Sequence, residues 1–545
     1  MTNKAIANTF DFLAKLMELH EEDGFRIRTY RNAYITLRKL DRPLAEMSES
    51  EIKSIKGVGN AIASKIRELL TTGKMETLER YKQNTPAGVL DMLNVNGFGP
   101  KKVSVVWKEM EIESIGELWY ACNENRLVEF KGFGLKTQED LKSRLEYYLK
   151  SRDKLHMDAA EEEADFACAW ITGKLKGAFV SPVGEVRRKC PVVEKIEILV
   201  AYNGEITTIF DGENLQLESQ NGESRFEARL ENGTPITIHK CVLEEFGSKL
   251  FLHTGSPAFI EAFVQKNPGV NFKSLRTEEE IFEKAGLPVY EPELRETATF
   301  LLSEKPNLVE RAALKGVLHV HTKWSDGLHS LEEMCQAAQD LGYDYIGITD
   351  HSQSAFYANG LKPDRVLEQM QEIDALNVKM APFRILKGIE SDILNDGSLD
   401  YEPELLEAFD FVIASVHSNL KMNEEKATER VLAAIKNPYT TILGHPTGRL
   451  LLSREGYPLN WEKILDACAE YGVAIELNAN PYRLDLDYTL IPEALKRGIQ
   501  ISVNPDAHSR EGLEDVRYGL AVARKGGLTE SMCLTSKMPE DWLKK

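Results

Sequence analysis

From Gly316 to Ser509 the chain alternates short apolar runs with helix-like stretches. The runs are GVLHVH, IGITDH, ILKGIE, VIASVH, TILGH, AIELNAN and ISVNPDAH, and between them lie amphipathic segments such as SLEEMCQAAQDLG, EKATERVLAAIK and WEKILDACAEYG. Period-2 or continuous apolar runs read as buried strands and the longer segments as helices. Seven such units over about 230 residues predict a parallel (β/α)7 barrel, whose active site would gather at the carboxyl ends of the strands. Upstream, IKGVGNAIASKI (55–66), VNGFGPKKVSVV (95–106) and FKGFGLKTQEDL (130–141) each set an apolar residue before a G-x-G turn and a helical run. Between these two regions, SPVGEVRRKCPVVEKIEILVAY (181–202) and TPITIHKCV predict sheet strands, and MDAAEEEADFACAWITGKLK an acidic helix.

A metal-type ligand stands at the edge of nearly every apolar run: His319 and His321, His351, Glu390, His417, His445, then Asp506 and His508. AIELNAN offers no ligand of this type. Alternation puts the two histidines of H-x-H on one side of a strand, where they can share an ion. Alone, they would be a pair of strand histidines. Six histidines at equivalent strand ends favour a shared multinuclear site, because one metal cluster satisfies imidazoles that would otherwise need separate partners. His20, His156, His239 and His253 show no such placement, and His329, off the repeat, is read as structural.

The 545 residues, 42% hydrophobic and 28% charged, divide into several globular domains, and no apolar stretch reaches the roughly 20 residues a membrane span needs. The start is too acidic for a secretory signal, so a cytoplasmic protein is expected. Seven cysteines without a C-x-x-C pair argue against a disulfide framework or a thiolate zinc site. Net charge is −19, yet residues 1–150 carry 24 Lys and Arg against 22 Asp and Glu, so any DNA-binding surface belongs in the N-terminal third. There Gly57, Gly59, Gly97, Gly99, Gly132 and Gly134 permit sharp turns beside helix N-termini, with Lys101 adjacent, suited to contacting a phosphate backbone without reading its sequence.

These three hairpins resemble the helix-hairpin-helix domains of family X DNA polymerases, and the Gly316–Ser509 repeats resemble the PHP phosphoesterase domain. The order of modules is similar to that of bacterial family X polymerases along nearly the whole chain. The resemblance implies an N-terminal helix-hairpin-helix domain (1–82), a fingers-like one (83–150), an α+β palm (151–243), a thumb-like segment (244–300), a polar linker (301–315) and a PHP barrel (316–545). It implies three divalent ions: one held by His319, His321, Glu390 and Asp506, a second by Glu390, His417 and His445, and a third by Asp326, His351 and His508. Glu390, His417 and Asp506 would stand closest to a metal-activated hydroxide attacking a phosphoester. Imidazole and carboxylate ligands suit Mn²⁺, Zn²⁺ or Fe²⁺ alike. Where the family commonly has aspartate before H-x-H, Val317 stands, which puts support of the histidines in question. Arg449 and Arg483 are candidates to clamp a phosphate, or simply surface ion pairs. Lys65 falls where the family has a lyase nucleophile, though a solvated helix lysine is the plainer reading.

The palm matches the family in apolar frame and departs from it in chemistry. Its two metal-binding aspartates fall on Lys195 and Glu197, a phosphate-contacting serine on Glu185 and the third aspartate on Thr237, while Arg188 keeps one basic residue and HTGS (253–256) the family's T-G-S turn. A lysine where a cation must sit opposes two-metal catalysis. The expected function is therefore a DNA-repair 3′–5′ exonuclease or 3′-end phosphoesterase, in base excision repair, with polymerase activity lost. Its partner would be gapped or 3′-ended DNA held through the backbone, with no membrane; it would act as a cytoplasmic monomer, nucleoid-associated when bound. The alternatives are an active gap-filling polymerase with a PHP exonuclease, and a phosphatase of small phosphate monoesters.

Overall fold

The computed structural model describes residues 1–545 apart from 41, 96, 124–125, 131, 152, 302–303 and 544–545. The described chain forms two compact units, Met1–Arg152 and Asp153–Lys545.

The first unit is helical. Its opening helix, Asn3–Leu19, starts at the Thr2 cap and buries Ile6, Phe10, Leu13 and Met17, a stripe at helical spacing. One core runs from Ile6 to Leu145. In each G-x-G turn the first glycine is left-handed (Gly57 φ 88°, Gly97 φ 72°, Gly132 φ 95°), a conformation other L-residues adopt at a cost. The residue between the glycines, Val58, Phe98 or Phe133, is buried, and the glycines on either side are exposed. The apolar residue thus pins each turn while its backbone faces solvent. The helices Asn60–Thr72 and Pro100–Lys108 begin directly after Gly59 and Gly99 with no side chain capping them, so the N–H groups of their first turns, which Pro100 lacks, are not taken by a cap.

The second unit begins with the helix Met157–Lys174, which lays Ala160, Ala164, Ala167 and Ile171 on a five-stranded sheet. The strand order is Phe179–Val183, Ile196–Ala201, Pro235–Cys241, Arg225–Leu230, Leu215–Asn221, and only the Ile196–Ala201/Pro235–Cys241 pair is parallel. Three helices, Phe246–Thr254, Pro257–Lys266 and Glu279–Ala285, follow around Phe251, Phe259, Phe263 and Phe282. The 295–315 connection, polar in composition, is anchored: Val309 is buried and its N–H donates to Leu528 O at 2.9 Å.

Seven parallel strands then pair in chain order: Gly316–Val320, Tyr345–Ile348, Arg384–Asp392, Phe411–Ser415, Ile442–Leu443, Ala474–Asn478 and Ile501–Asn504. A parallel bridge from Val320 to Ala507 brings the last strand back to the first, a nearly closed barrel. Inside, the lower half is packed by Leu318, Tyr345, Leu386, Phe411 and Ile413, with Gly347 and Gly388 making room for the Phe411 ring. Toward the carboxyl ends the buried residues turn polar: Glu390, Ser415, Glu476, Asn478, Ser502 and Asn504. Among the described residues no helix is long and apolar enough to cross a membrane.

Candidate metal centre

Glu390, in the third barrel strand, is the hub. Its Oε1 lies 2.9 Å from His445 Nε2, 3.1 Å from His417 Nε2 and 3.2 Å from His319 Nε2. Its Oε2 lies 2.9 Å from His351 Nδ1 and 3.7 Å from His321 Nε2. Asp506 approaches His321 at 3.1 Å and His319 at 3.5 Å. Asp326 faces His508 at 3.5 Å, His351 at 3.7 Å and His321 at 3.8 Å. All nine residues singled out in the sequence thus converge. They fall into four overlapping groups, each compact enough for one ion: His321/Asp326/His351/His508, His319/Glu390/His445, His319/His321/Asp506 and His351/Glu390/His417.

His319 and His321 reach the interior by a different route from simple alternation. His319 is left-handed (φ 59°), and the register slips between Val317 and Val320. Leu318 packs in the barrel interior, while Val317 and Val320 pack with the outer core. Regular alternation from an inward Leu318 would send both histidines outward. The bulge resets the phase so that they point inward. Asp506 (φ 53°) and His445 (φ 20°) also have positive φ, so three of the nine residues sit in backbone that non-glycine residues rarely adopt.

Several supporting residues escaped the sequence reading. His319 Nδ1 donates to Glu476 Oε1 at 2.6 Å, leaving Nε2 to face Glu390. Glu476 also accepts the His445 N–H at 2.7 Å and the Asn504 amide at 2.8 Å, and His417 Nδ1 donates to Asp392. Buried Asp350 accepts from Thr322 and Ser325, fixing the loop that carries Asp326. Val317 brings no polar atom to His319, and Glu476 meets His319 Nδ1 from another strand. Glu476 sits inside an apolar run, and only the strand order brings it opposite His319.

The electrostatics follow from burial and opposite charge. Burial disfavours the charged form of His417, but Glu390 and Asp392 overcome it and push its pKa up to about 10. Burial opposes ionisation of Glu390 too, yet His417, His319 and His351 hold it well below the usual carboxylate range. His321 goes the other way: burial, then His508 and His351, push it down to about 4. His319 Nε2, His321 Nδ1 and Nε2, His351 Nδ1 and Glu390 Oε2 are buried without a hydrogen bond of good geometry. Buried polar atoms left so cost roughly 1–3 kcal/mol each. Lone pairs of imidazole and carboxylate converging on one another fit divalent cations.

The site opens into a cavity of about 300 Å³ lined by Tyr357, His417, Leu450, Arg454 and Arg483 among others. Arg483 Nε lies 3.6 Å from Asp506 Oδ2 at this mouth. Arg449 faces elsewhere: it binds Asp487 at 2.6 Å, Arg483 O at 3.0 Å and Leu484 O, which occupy its fork. Arg454, not anticipated, lines the cavity instead. His329 Nδ1 accepts the Arg510 N–H at 3.3 Å, and its carbonyl accepts the Lys323 N–H at 2.8 Å.

In the five-stranded sheet, Glu197 and Thr237 are register partners on the parallel strand pair. Glu197 Oε1 accepts from His239 Nε2 at 2.9 Å, Thr237 donates to Glu227 at 2.7 Å, and Glu185 accepts the backbone N–H groups of Glu194 and Lys195. Lys195 is exposed. Arg188 is buried against Glu296 and Thr254 O. Among the described residues, every group of His, Asp or Glu compact enough to share an ion lies in the barrel. In the helical unit Lys101 is exposed, and Lys65 Nζ donates to Thr77 at 2.5 Å, its pKa lowered chiefly by burial.

A helix-hairpin-helix domain profile matches residues 1–75, and a PHP domain profile matches residues 318–480. DNA polymerase/3′-5′ exonuclease PolX of Bacillus subtilis (strain 168) is 32% identical over 566 residues, covering 99% of this chain and 98% of that protein. The chain belongs to the PolX family. A probable phosphatase of Thermoanaerobacter sp. (strain X514) is 29% identical over 236 residues, 41% of this chain and 91% of that protein. Another, from Acetivibrio thermocellus, is 31% identical over 199 residues, 35% of this chain and 78% of that protein. The PolX relationship therefore spans both units, and the phosphatases share only part of the chain. The family places helix-hairpin-helix modules for DNA and a metal-dependent PHP domain in one polypeptide.

Proposed function

We propose that this chain is a metal-dependent phosphoesterase that removes nucleotides or blocking groups from DNA 3′ ends, at gaps and recessed termini. The convergence of nine His, Asp and Glu side chains around Glu390, all but the exposed Asp326 buried or half-buried, carries this reading. Divalent cations bound there supply an activated water near neutral pH and offset charge developing at phosphorus. The protein residues divide the remaining work. His319, His321, Glu390 and Asp506 would hold one ion, Glu390, His417 and His445 a second, and Asp326, His351 and His508 a third, whether Mn²⁺, Zn²⁺ or Fe²⁺. Arg483 and Arg454 lie at the mouth, where a guanidinium can orient a phosphodiester. The exposed hairpins at Gly57/Gly59, Gly97/Gly99 with Lys101, and Gly132/Gly134 would grip the backbone of the same DNA. We further propose that the palm no longer polymerises, since Lys195 brings positive charge to a cation position, and that the protein works as a cytoplasmic monomer.

Incubation of a 5′-labelled oligonucleotide with Mn²⁺ tests this. The wild type should shorten it from the 3′ end, and the His319→Ala/His321→Ala variant should not. An intact oligonucleotide, or equal degradation by both proteins, overturns the reading. The likeness of the barrel to probable phosphatases supports a second possibility, a small phosphate monoester as substrate. Faster turnover of a small monoester than of DNA ends, unchanged by removal of residues 1–150, would favour it.

A further inference from the structure

One rim of the metal cavity carries a feature that neither metal binding nor backbone contact uses. Phe356 is 87% exposed and the adjacent Tyr357 59% exposed, on a single turn, Phe356–Ala358, that follows the strand bearing His351. Tyr357 lines the cavity, its ring 6.2 Å from that of His351, and the Phe356 ring stands 6.0 Å from that of Tyr357. Leaving a phenylalanine in water forgoes about 2 kcal/mol of burial, so a loop free to move would fold it inward.

This loop is held from beneath. Ala355, Ala358 and Leu361 are buried, and Asn359, left-handed at φ 56°, donates to the carbonyls of Trp324 and Ser325 at 3.2 and 3.3 Å. Arg365 binds Asn359 O at 3.1 Å and also Trp324 O, with its guanidinium over the Trp324 ring. A Cβ on Gly360 would lie 2.0 Å from Ser352 O, so the backbone there is in close contact. The aromatic ring is thus presented on a braced scaffold, as a recognition residue needs to be.

The cavity dictates what meets that ring. Glu390 is 1% exposed at its floor, and about 300 Å³ admits a sugar-phosphate but not a duplex end. A nucleotide drawn out of the helix brings its phosphodiester toward Glu390 and bares a base face at the mouth. We propose, resting on the DNA 3′-end reading above, that Phe356 is a stacking platform for the base next to the scissile phosphodiester, flanked by Tyr357, and that it makes the site select unpaired or frayed DNA 3′ ends. Each stacked base contributes about 1–3 kcal/mol, or roughly 5- to 150-fold in affinity.

The test uses the full chain with Mn²⁺ and an oligonucleotide whose 3′-terminal 2-aminopurine is joined through a cleavage-resistant phosphorothioate. Stacking quenches its fluorescence on binding. Phe356→Ala should lose the quench, bind the single strand about 5- to 150-fold more weakly and narrow the preference for unpaired over paired ends. Phe356→Trp should retain all three, and both variants should hydrolyse a small phosphodiester without aromatic groups like the wild type. A quench and affinity unchanged in Phe356→Ala would overturn the platform while leaving the nuclease intact. A wild type that hydrolyses the small ester but neither binds nor cuts DNA would overturn the platform and the DNA reading together.

Discussion

His319 divides its two ring nitrogens between two glutamates: Nδ1 donates to Glu476 Oε1 at 2.6 Å, and Nε2 faces Glu390 Oε1 at 3.2 Å. The first contact fixes the tautomer and so keeps a lone pair on the nitrogen that faces the centre. Glu476→Gln preserves shape but weakens that control. It should lower metal affinity about 10- to 100-fold, measured by metal titration, with hydrolysis restored at high metal concentration. An unchanged titration would show that Glu476 only packs.

Glu390→Gln should abolish hydrolysis of DNA ends while leaving DNA affinity within about twofold, because Glu390 lies at the floor of the barrel site and the hairpins lie in the other unit. Rapid-quench assays and fluorescence anisotropy on the same preparation separate the two. A variant that still cleaves would remove Glu390 from its central position.

Chelation should destabilise the second unit more than the first. These buried imidazole and carboxylate atoms lack a well-aligned hydrogen bond among the described residues, and a ligand that binds only the folded state stabilises it by mass action. Addition of EDTA should therefore lower the melting transition of Asp153–Lys545 and leave that of Met1–Arg152 in place, as calorimetry would resolve. A thermogram insensitive to EDTA would count against bound metal.

Acid should loosen the junction between palm and barrel. Burial opposes charge on Glu296, but Lys525 at 2.7 Å and Arg188 at 2.9 Å hold its pKa at about 2, against 4.5 ordinarily. A depressed carboxylate contributes stability that is fully present above its unfolded pKa and fades as pH falls through the folded one. Between about pH 4.5 and 2 the wild type should therefore lose more stability than Glu296→Gln, as denaturant midpoints would report. Parallel pH profiles would show that the pair contributes nothing.

The palm should fail as a polymerase. With gapped DNA, Mg²⁺ or Mn²⁺ and all four nucleotides, no template-dependent incorporation is expected, and Glu197→Ala should change nothing. Incorporation that the substitution abolishes would restore the palm to function.

Much of the barrel was legible because its chemistry sits at strand ends, where an apolar run stops and a histidine or carboxylate stands out. Eight of the nine converging residues stood out this way, along with the seven-unit repeat, whereas Asp326, off the strand ends, came only from the family resemblance. Glu476 and Asp392 were not, since each lies within or just after an apolar run and acquires meaning only from the neighbouring strand. The orientation of His319 was equally hidden, because a bulge shifts the side-chain period by one residue and leaves composition unaltered. Arg449 and Arg483 look alike in sequence. Only the fold shows that Asp487 and two carbonyls take the first and that the cavity keeps the second.

The Phe411 ring, seated where Gly347 and Gly388 withdraw, makes the lower half of the barrel solid. The polar layer above it therefore has a closed floor, and its cavity opens on the side lined by Tyr357, Arg454 and Arg483. A phosphoester would accordingly arrive and leave on the side of the strands' carboxyl ends.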